Sequence, residues 1–385
     1  MNSKLIESDQ GEAVGLDPWT GEFLRVSWSG GVIDEVGRSR DEGDGVSWLV
    51  PALFDLQVNG YGGVDYQASQ VDEAALVESV KGLERAGCGG MMLTLITDHW
   101  DAMLHKLAHL VRLRRNNPML QRHIRGWHLE GPFLSAEDGF RGAHRGECMR
   151  DPKLSDLTEL AEIVGQDLVL LTVAPERDGA LGFIREAVAR GMKVSLGHSA
   201  AGAKVLQQAV SAGAGGITHL GNGCPQMWPR HDNWFWSVAD SQGLAVGLIP
   251  DQIHLPPSVF RTMHRALLGR NQIYYTTDAM AAAGAGPGRY SLAGVELEVG
   301  EDQVVRQPGC PNFAGSALTP LDGVIRACAM LREPWHQVWD RFSRVPAEFL
   351  GVGGDIEPGL PACFCVVTAS QEGDLDEVVL HLPSD

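Results

Sequence analysis

Short, almost wholly apolar runs recur along the middle of the chain, at residues 48–58, 89–97, 124–130, 168–173, 193–198, 216–219, 245–249 and 273–277. Runs of this length without a polar alternation predict β-strands buried on both faces. Between them the apolar residues fall at helical spacing. Leu76, Val80 and Leu83 share one stripe of a helix predicted over 71–86, which Gly87 closes. Leu181, Ile184 and Val188 repeat the pattern ahead of Gly191, and Val205, Leu206 and Val210 repeat it ahead of Gly213. Val259, Met263 and Ala266 mark a further helix over 258–268. Amphipathic helices, most of them ended by Gly, are what a buried parallel sheet needs for cover.

Eight strands alternating with helices predict an α/β fold of the (β/α)8 TIM-like barrel type. A doubly wound sheet competes, but it gathers its ligand groups at one crevice, whereas here polar groups stand at or just beyond most strand ends. The barrel is expected over residues 51–354. The ends read differently: 1–50 and 355–385 are expected to join as a small β-sandwich domain, with strands near 23–28, 363–368 and 377–382. Residues 290–306 look like a β-hairpin inserted after the eighth strand.

Composition narrows the partners. A net charge of −18 disfavours nucleic acid and anionic membrane surfaces, although a local cationic pocket can still take an anionic small molecule. No apolar run approaches the roughly 20 residues of a membrane-spanning helix. The N-terminus carries no apolar signal segment, and seven cysteines without CxxC spacing suit reduced thiols, so a cytoplasmic location is expected.

Four polar residues close apolar runs: Glu130, His198, His219 and Asp278. One carboxylate and two imidazoles suit Zn²⁺ or Fe²⁺ with positions left open for water and substrate. Asp278 is then the expected general base, its alternative being a helix cap. Together they name metal-assisted hydrolysis. At the first strand end, Gln57 and Asn59 are poor ligands for a transition metal, so they either line the site or bond the following loop. His128 faces the same way as Glu130 and reads equally as a supporting partner or a core residue. His144 and His254 are candidates to polarise a carbonyl or bind a hydroxyl, and Arg230 to clamp an anion; each has a structural alternative.

The motifs Pro51-Ala-Leu-Phe-Asp-Leu-Gln-Val-Asn-Gly, His128-Leu-Glu-Gly-Pro-Phe, Gly197-His-Ser, Thr218-His-Leu-Gly-Asn, Thr277-Asp-Ala and Ala314-Gly-Ser-Ala-Leu-Thr stand in an order that spans most of the chain. In that order they resemble the N-acetylglucosamine-6-phosphate deacetylases of the amidohydrolase superfamily. The resemblance implies one divalent metal per chain on Glu130, His198 and His219, with Asp278 as acid/base and His254 assisting. It implies a substrate lined by Ala143, His144, Asn222, Gly223, Arg230, His254, Phe313, Ala314 and Gly315, and Gln57 and Asn59 are expected to line the site with them. It also implies a homodimer whose phosphate-contacting arginine reaches across from the neighbouring subunit. The chain departs from the family at Gly221, Asn222, Gly223 and Cys224, where an aromatic residue, Asn, Ala and Met are usual. It departs again in the Trp-rich stretch 228–236, and at Cys363, where an Asp is usual.

The expected reaction is metal-dependent removal of acetate from N-acetylglucosamine 6-phosphate. The alternatives are an amidohydrolase for another N-acyl amino sugar or cyclic amide, and a non-catalytic sugar-binding relic.

Overall fold

The computed structural model describes residues 2–40, 47–309, 313–369 and 375–384. Its centre is an eight-stranded parallel sheet curled into a barrel. The strands are β1 (Leu53–Val58), β2 (Cys88–Ile96), β3 (Ile124–Glu130), β4 (Leu168–Val173), β5 (Lys193–Leu196), β6 (Gly216–Ile217), β7 (Ala245–Leu248) and β8 (Gln272–Tyr275), paired in that order. β1 to β3 are buried almost throughout, which accounts for their unbroken apolar sequences. The helices lie between strands, at Glu73–Arg85, Ala180–Ala189, Ala203–Ser211 and Pro257–Leu267 where helical spacing predicts them. Others, such as Trp100–Asn116 and Pro320–Leu331, were not anticipated. No helix among the described residues is long and apolar enough to cross a membrane.

The predicted first strand divides in two. Ser47–Pro51 pairs antiparallel with Phe364–Ala369 in a separate sheet, and only Leu53–Val58 enters the barrel. Pro51 lacks an N–H, and its carbonyl accepts the Trp339 indole at 2.8 Å, so the chain leaves one sheet there before joining the next. The separate sheet has seven strands and draws on both ends of the chain. Its order runs Asn2–Glu7, Leu375–Leu382, Phe364–Ala369, Ser47–Pro51, Gly11–Leu16, Phe23–Ser29 and Val32–Arg38. The expected insertion after β8 is three-stranded and antiparallel: Gly288–Leu292, Val295–Val299 and Val305–Arg306.

No continuous hydrogen-bond ladder joins β8 to β1 among the described residues. Side chains and one bridge close that seam instead. The buried Asp55 carboxylate accepts from the Thr276 hydroxyl at 2.5 Å, the Thr277 hydroxyl at 2.6 Å and the Thr277 N–H at 3.2 Å. Just beyond, Val58 bridges Ala279, and Asn59 N–H donates to the Ala279 carbonyl at 2.7 Å. Burial pushes Asp55 up to about 6 in spite of these donors.

Candidate active site

Glu130 is the last residue of β3, whereas His198, His219 and Asp278 lie two or three positions past the ends of β5, β6 and β8. At all three of these the chain turns left-handed, with φ of +50°, +29° and +51°. A non-glycine residue in that region costs on the order of 1–3 kcal/mol and persists only where its surroundings hold it. This reversal is why the predicted strands 193–198, 216–219 and 273–277 stop short, and it swings the three side chains over the mouth of the barrel.

There the groups meet. Glu130 Oε1 lies 2.8 Å from His219 Nε2 and 3.3 Å from His198 Nε2, and the two imidazole Nε2 atoms are 3.2 Å apart. His198 Nδ1 lies 2.8 Å from the Phe140 carbonyl, a contact that places its proton on Nδ1 and leaves a lone pair on Nε2. Three electron-rich atoms thus converge in a space where one proton cannot satisfy all of them. A cation between them would, and the donor set fits a single divalent ion. His144 adds a fourth group: its Nε2 is 3.5 Å from Glu130 Oε2 and its Nδ1 2.9 Å from the Thr97 hydroxyl. Glu130, His144 and His198 likewise offer ligand atoms within 4.8 Å of one another.

The electrostatics agree with that geometry. Burial would raise Glu130, but hydrogen bonds from His144, His198 and His219 outweigh it and hold the carboxyl well below the usual range. Burial and then the neighbouring His144 push His198 down to about 4. In His219 burial is overcome by the Glu130 hydrogen bond and charge, so it is raised. The two rings share one carboxylate with opposite outcomes, as expected of groups that compete for a proton.

Gly223 explains one departure from the family. Its φ is +58°, and a Cβ there would come within 2.3 Å of His198 Nδ1, so an alanine is refused while the loop packs on that ring. Gly142 approaches the same ring, a Cβ there lying 3.1 Å from His198 Cε1.

Asp278 Oδ1 accepts two amide donors, Asn59 Nδ2 at 2.7 Å and Gln57 Nε2 at 3.0 Å. Burial, then the charge of Glu130, push Asp278 up to about 6 against these bonds and the pull of His219 and His254. A carboxylate so placed can exchange a proton near neutral pH.

A cavity of about 330 Å³ opens above the cluster. Its wall takes in Asn59, Glu130, Ala143, His144, His198, His219, Asn222, Gly223, His254, Asp278, Phe313, Ala314 and Gly315, so most of the predicted site residues come together. Leu292, Val295 and Leu297 of the inserted sheet close one side. Two predicted residues stand elsewhere. Gln57 sits beneath the cavity and reaches Asp278 rather than the open space. Arg230 is exposed and lines no part of this chain's cavity. The guanidinium in the wall is instead that of Arg145, 2.9 Å from Glu147 and 3.4 Å from Asp98. His128 is fully buried below the site, 2.7 Å from the Thr172 hydroxyl and 3.0 Å from the Leu56 carbonyl, and burial lowers it to about 4. It is a core residue.

No family model matches the chain. It is 31% identical over 342 residues to the N-acetylglucosamine-6-phosphate deacetylase of Homo sapiens, covering 84% of this chain and 80% of that one. The chain belongs to the N-acetylglucosamine-6-phosphate deacetylase family. Its similarity extends to the N-acetylgalactosamine-6-phosphate deacetylase of Escherichia coli O157:H7, at 30% identity over 320 residues and 81% of each chain. The Mycobacterium smegmatis N-acetyl-D-glucosamine-6-phosphate deacetylase, solved in complex with N-acetyl-D-glucosamine-6-phosphate, superposes with a TM-score of 0.81 at 26% identity over 97% of this chain and 96% of that one. The Glu/His/His cluster is the grouping among the described residues that offers a site for one divalent metal ion.

Proposed function

We propose that the chain hydrolyses N-acetylglucosamine 6-phosphate to glucosamine 6-phosphate and acetate. The observation that carries the reading is the meeting of Glu130, His198 and His219 beside Asp278 in a cavity of a chain from this deacetylase family. Glu130, His198 and His219 would hold the ion, for which Zn²⁺ is the first choice and Fe²⁺ the second. Such an ion supplies Lewis-acid polarisation of the acyl oxygen and makes a coordinated water acidic near neutral pH.

The chain's own residues do the rest. Gln57 and Asn59 anchor Asp278 Oδ1, so the carboxylate faces the reacting atoms in one orientation. Asp278 accepts the proton of the attacking water and then gives it to the departing amine as the C–N bond breaks. His254, in the cavity wall, donates to the acyl oxygen as charge builds there. His144 steadies the second oxygen of Glu130. Ala143, Asn222, Gly223 and residues 313–315 contact the sugar.

The 6-phosphate is met by cations at the cavity mouth. Arg145 stands in the cavity wall, and the exposed Arg230 would serve the neighbouring subunit of a homodimer. The enzyme acts in the cytoplasm. An acetate-release assay over N-acetylglucosamine, N-acetylgalactosamine and their 6-phosphates tests the reading. Turnover is expected first on N-acetylglucosamine 6-phosphate; release from none of the four by metal-loaded protein overturns it.

A further inference from the structure

One buried carboxylate beside the cavity is not used by the steps above. Asp251 lies in the turn after β7, three residues before His254, and is almost fully buried. Its two oxygens are divided between two tasks. Oδ1 accepts the backbone N–H groups of Ile253 at 2.9 Å and His254 at 2.8 Å. Oδ2 lies 2.6 Å from His254 Nδ1, and both side chains are screened from solvent. The Asp251 carbonyl is itself held by Arg326 Nη1 at 2.9 Å from the helix Pro320–Leu331. On the far side, the Phe313 ring packs edge-on against His254 at 5.3 Å.

A carboxylate that only capped the turn would need Oδ1 alone. The short second contact does something else. Burial would raise Asp251, yet the hydrogen bond and charge of His254 bring it below its ordinary range, so the pair behaves as a carboxylate–imidazole couple. The Oδ2 contact commits Nδ1 to carrying a proton and leaves Nε2 as the ring nitrogen without a partner among the described residues. The ring is thereby held in one orientation, with Nδ1 turned to the carboxylate and Nε2 turned away from it.

We propose that Asp251 is a positioning residue that locks the His254 ring with its Nδ1 proton inward, so that Nε2 is the nitrogen aimed at the acyl oxygen. Asp251 touches no substrate and acts only through His254. The inference rests on the deacetylase reading for the identity of the acyl oxygen, but not for the existence of the couple.

Asp251→Asn separates the two tasks. The amide keeps an oxygen for the turn N–H groups and replaces Oδ2 with an NH2 that cannot accept the Nδ1 proton. With N-acetylglucosamine 6-phosphate, kcat is expected to fall about 10- to 100-fold, the size of a lost charged hydrogen bond, while KM and bound zinc change by less than about twofold. In a His254→Gln background the same change is expected to cost little more. Full additivity of the two losses, or an unchanged kcat, overturns the proposal. A second readout needs neither turnover nor the variant: in ¹⁵N-histidine-labelled, zinc-loaded protein, His254 Nδ1 should show a strongly hydrogen-bonded, downfield N–H proton. Its absence overturns the proposal even if Asp251→Asn does not fold. Should the wild type release no acetate, the deacetylase reading fails while this resonance still decides the couple.

Discussion

Asn59 donates its side-chain amide to Asp278 Oδ1 at 2.7 Å, across the seam where the first and last barrel strands meet. Gln57 donates to the same oxygen at 3.0 Å. Hydrogen bonds to a charged group contribute about 1.5–3 kcal/mol, so Asn59→Ala should lower kcat by roughly tenfold or more. KM and metal content should stay near the wild-type values, because neither amide is asked to hold the sugar or the ion. Steady-state kinetics with elemental analysis checks this, and a change confined to KM would return both amides to substrate contact.

Removing the proton carrier is more severe. Asp278→Asn is expected to reduce kcat by about 10²- to 10⁴-fold with zinc still bound. Asp278 titrates near 6, and it must be ionised to accept a proton, so the wild-type rate falls as pH drops through that region. Positive charge bound at Glu130 draws the same limb lower still. The pH profile of kcat/KM reads the limb directly, and a profile flat down to pH about 4 would rule out Asp278 as the base.

His264, far from the cavity on the helix Pro257–Leu267, governs stability rather than rate. Burial, with the nearby Arg341 charge, lowers it to about 4 from an ordinary value near 6.5. The unfolded chain takes up this proton more readily than the folded one. Stability from this residue is therefore complete above about pH 6.5 and lost as pH falls toward about 4. His264→Leu should flatten that part of the curve of Tm against pH, a change that thermal melts over the window measure.

Arg230 bears on assembly. Arg230→Gln should raise KM for N-acetylglucosamine 6-phosphate about tenfold or more, and leave the unphosphorylated sugar unaffected. The wild type should sediment as a dimer. A monomeric protein that holds the phosphate normally would assign the contact to Arg145.

Much of this was legible in the chain itself. Glu130, His198, His219 and Asp278 stand out because each closes an apolar run, where a polar side chain reaches the mouth of the barrel. The contacts of Gln57 and Asp251 were not legible. Gln57 meets Asp278 only because the sheet curls until residues 221 positions apart are neighbours, and no local pattern encodes that closure. Asp251 looks like an ordinary turn residue in Pro250-Asp-Gln-Ile-His, and its second oxygen matters only once the ring of His254 is seen to fold back on it. The helix Trp100–Asn116, outside the expected set, does carry a signal in the chain: Trp100, Met103, Leu107 and Leu110 form a buried stripe at helical spacing, with Lys106 the charged residue on that face.

The seam between β8 and β1 has a consequence for how the enzyme fails on heating. Its closure depends on Asp55 with two threonines, on a single bridge with the Asn59 N–H bond beside it, and on the Gln57 and Asn59 amides, and the chain that leaves this join carries Asp278 within one to two residues of Thr276 and Thr277. The barrel's least-stitched edge and its proton carrier are thus one stretch of backbone. A thermal fluctuation that parts this edge disarms the enzyme while the other seven strand pairings still hold. Inactivation should come before melting, and reversibly, with activity serving as a gauge of barrel closure.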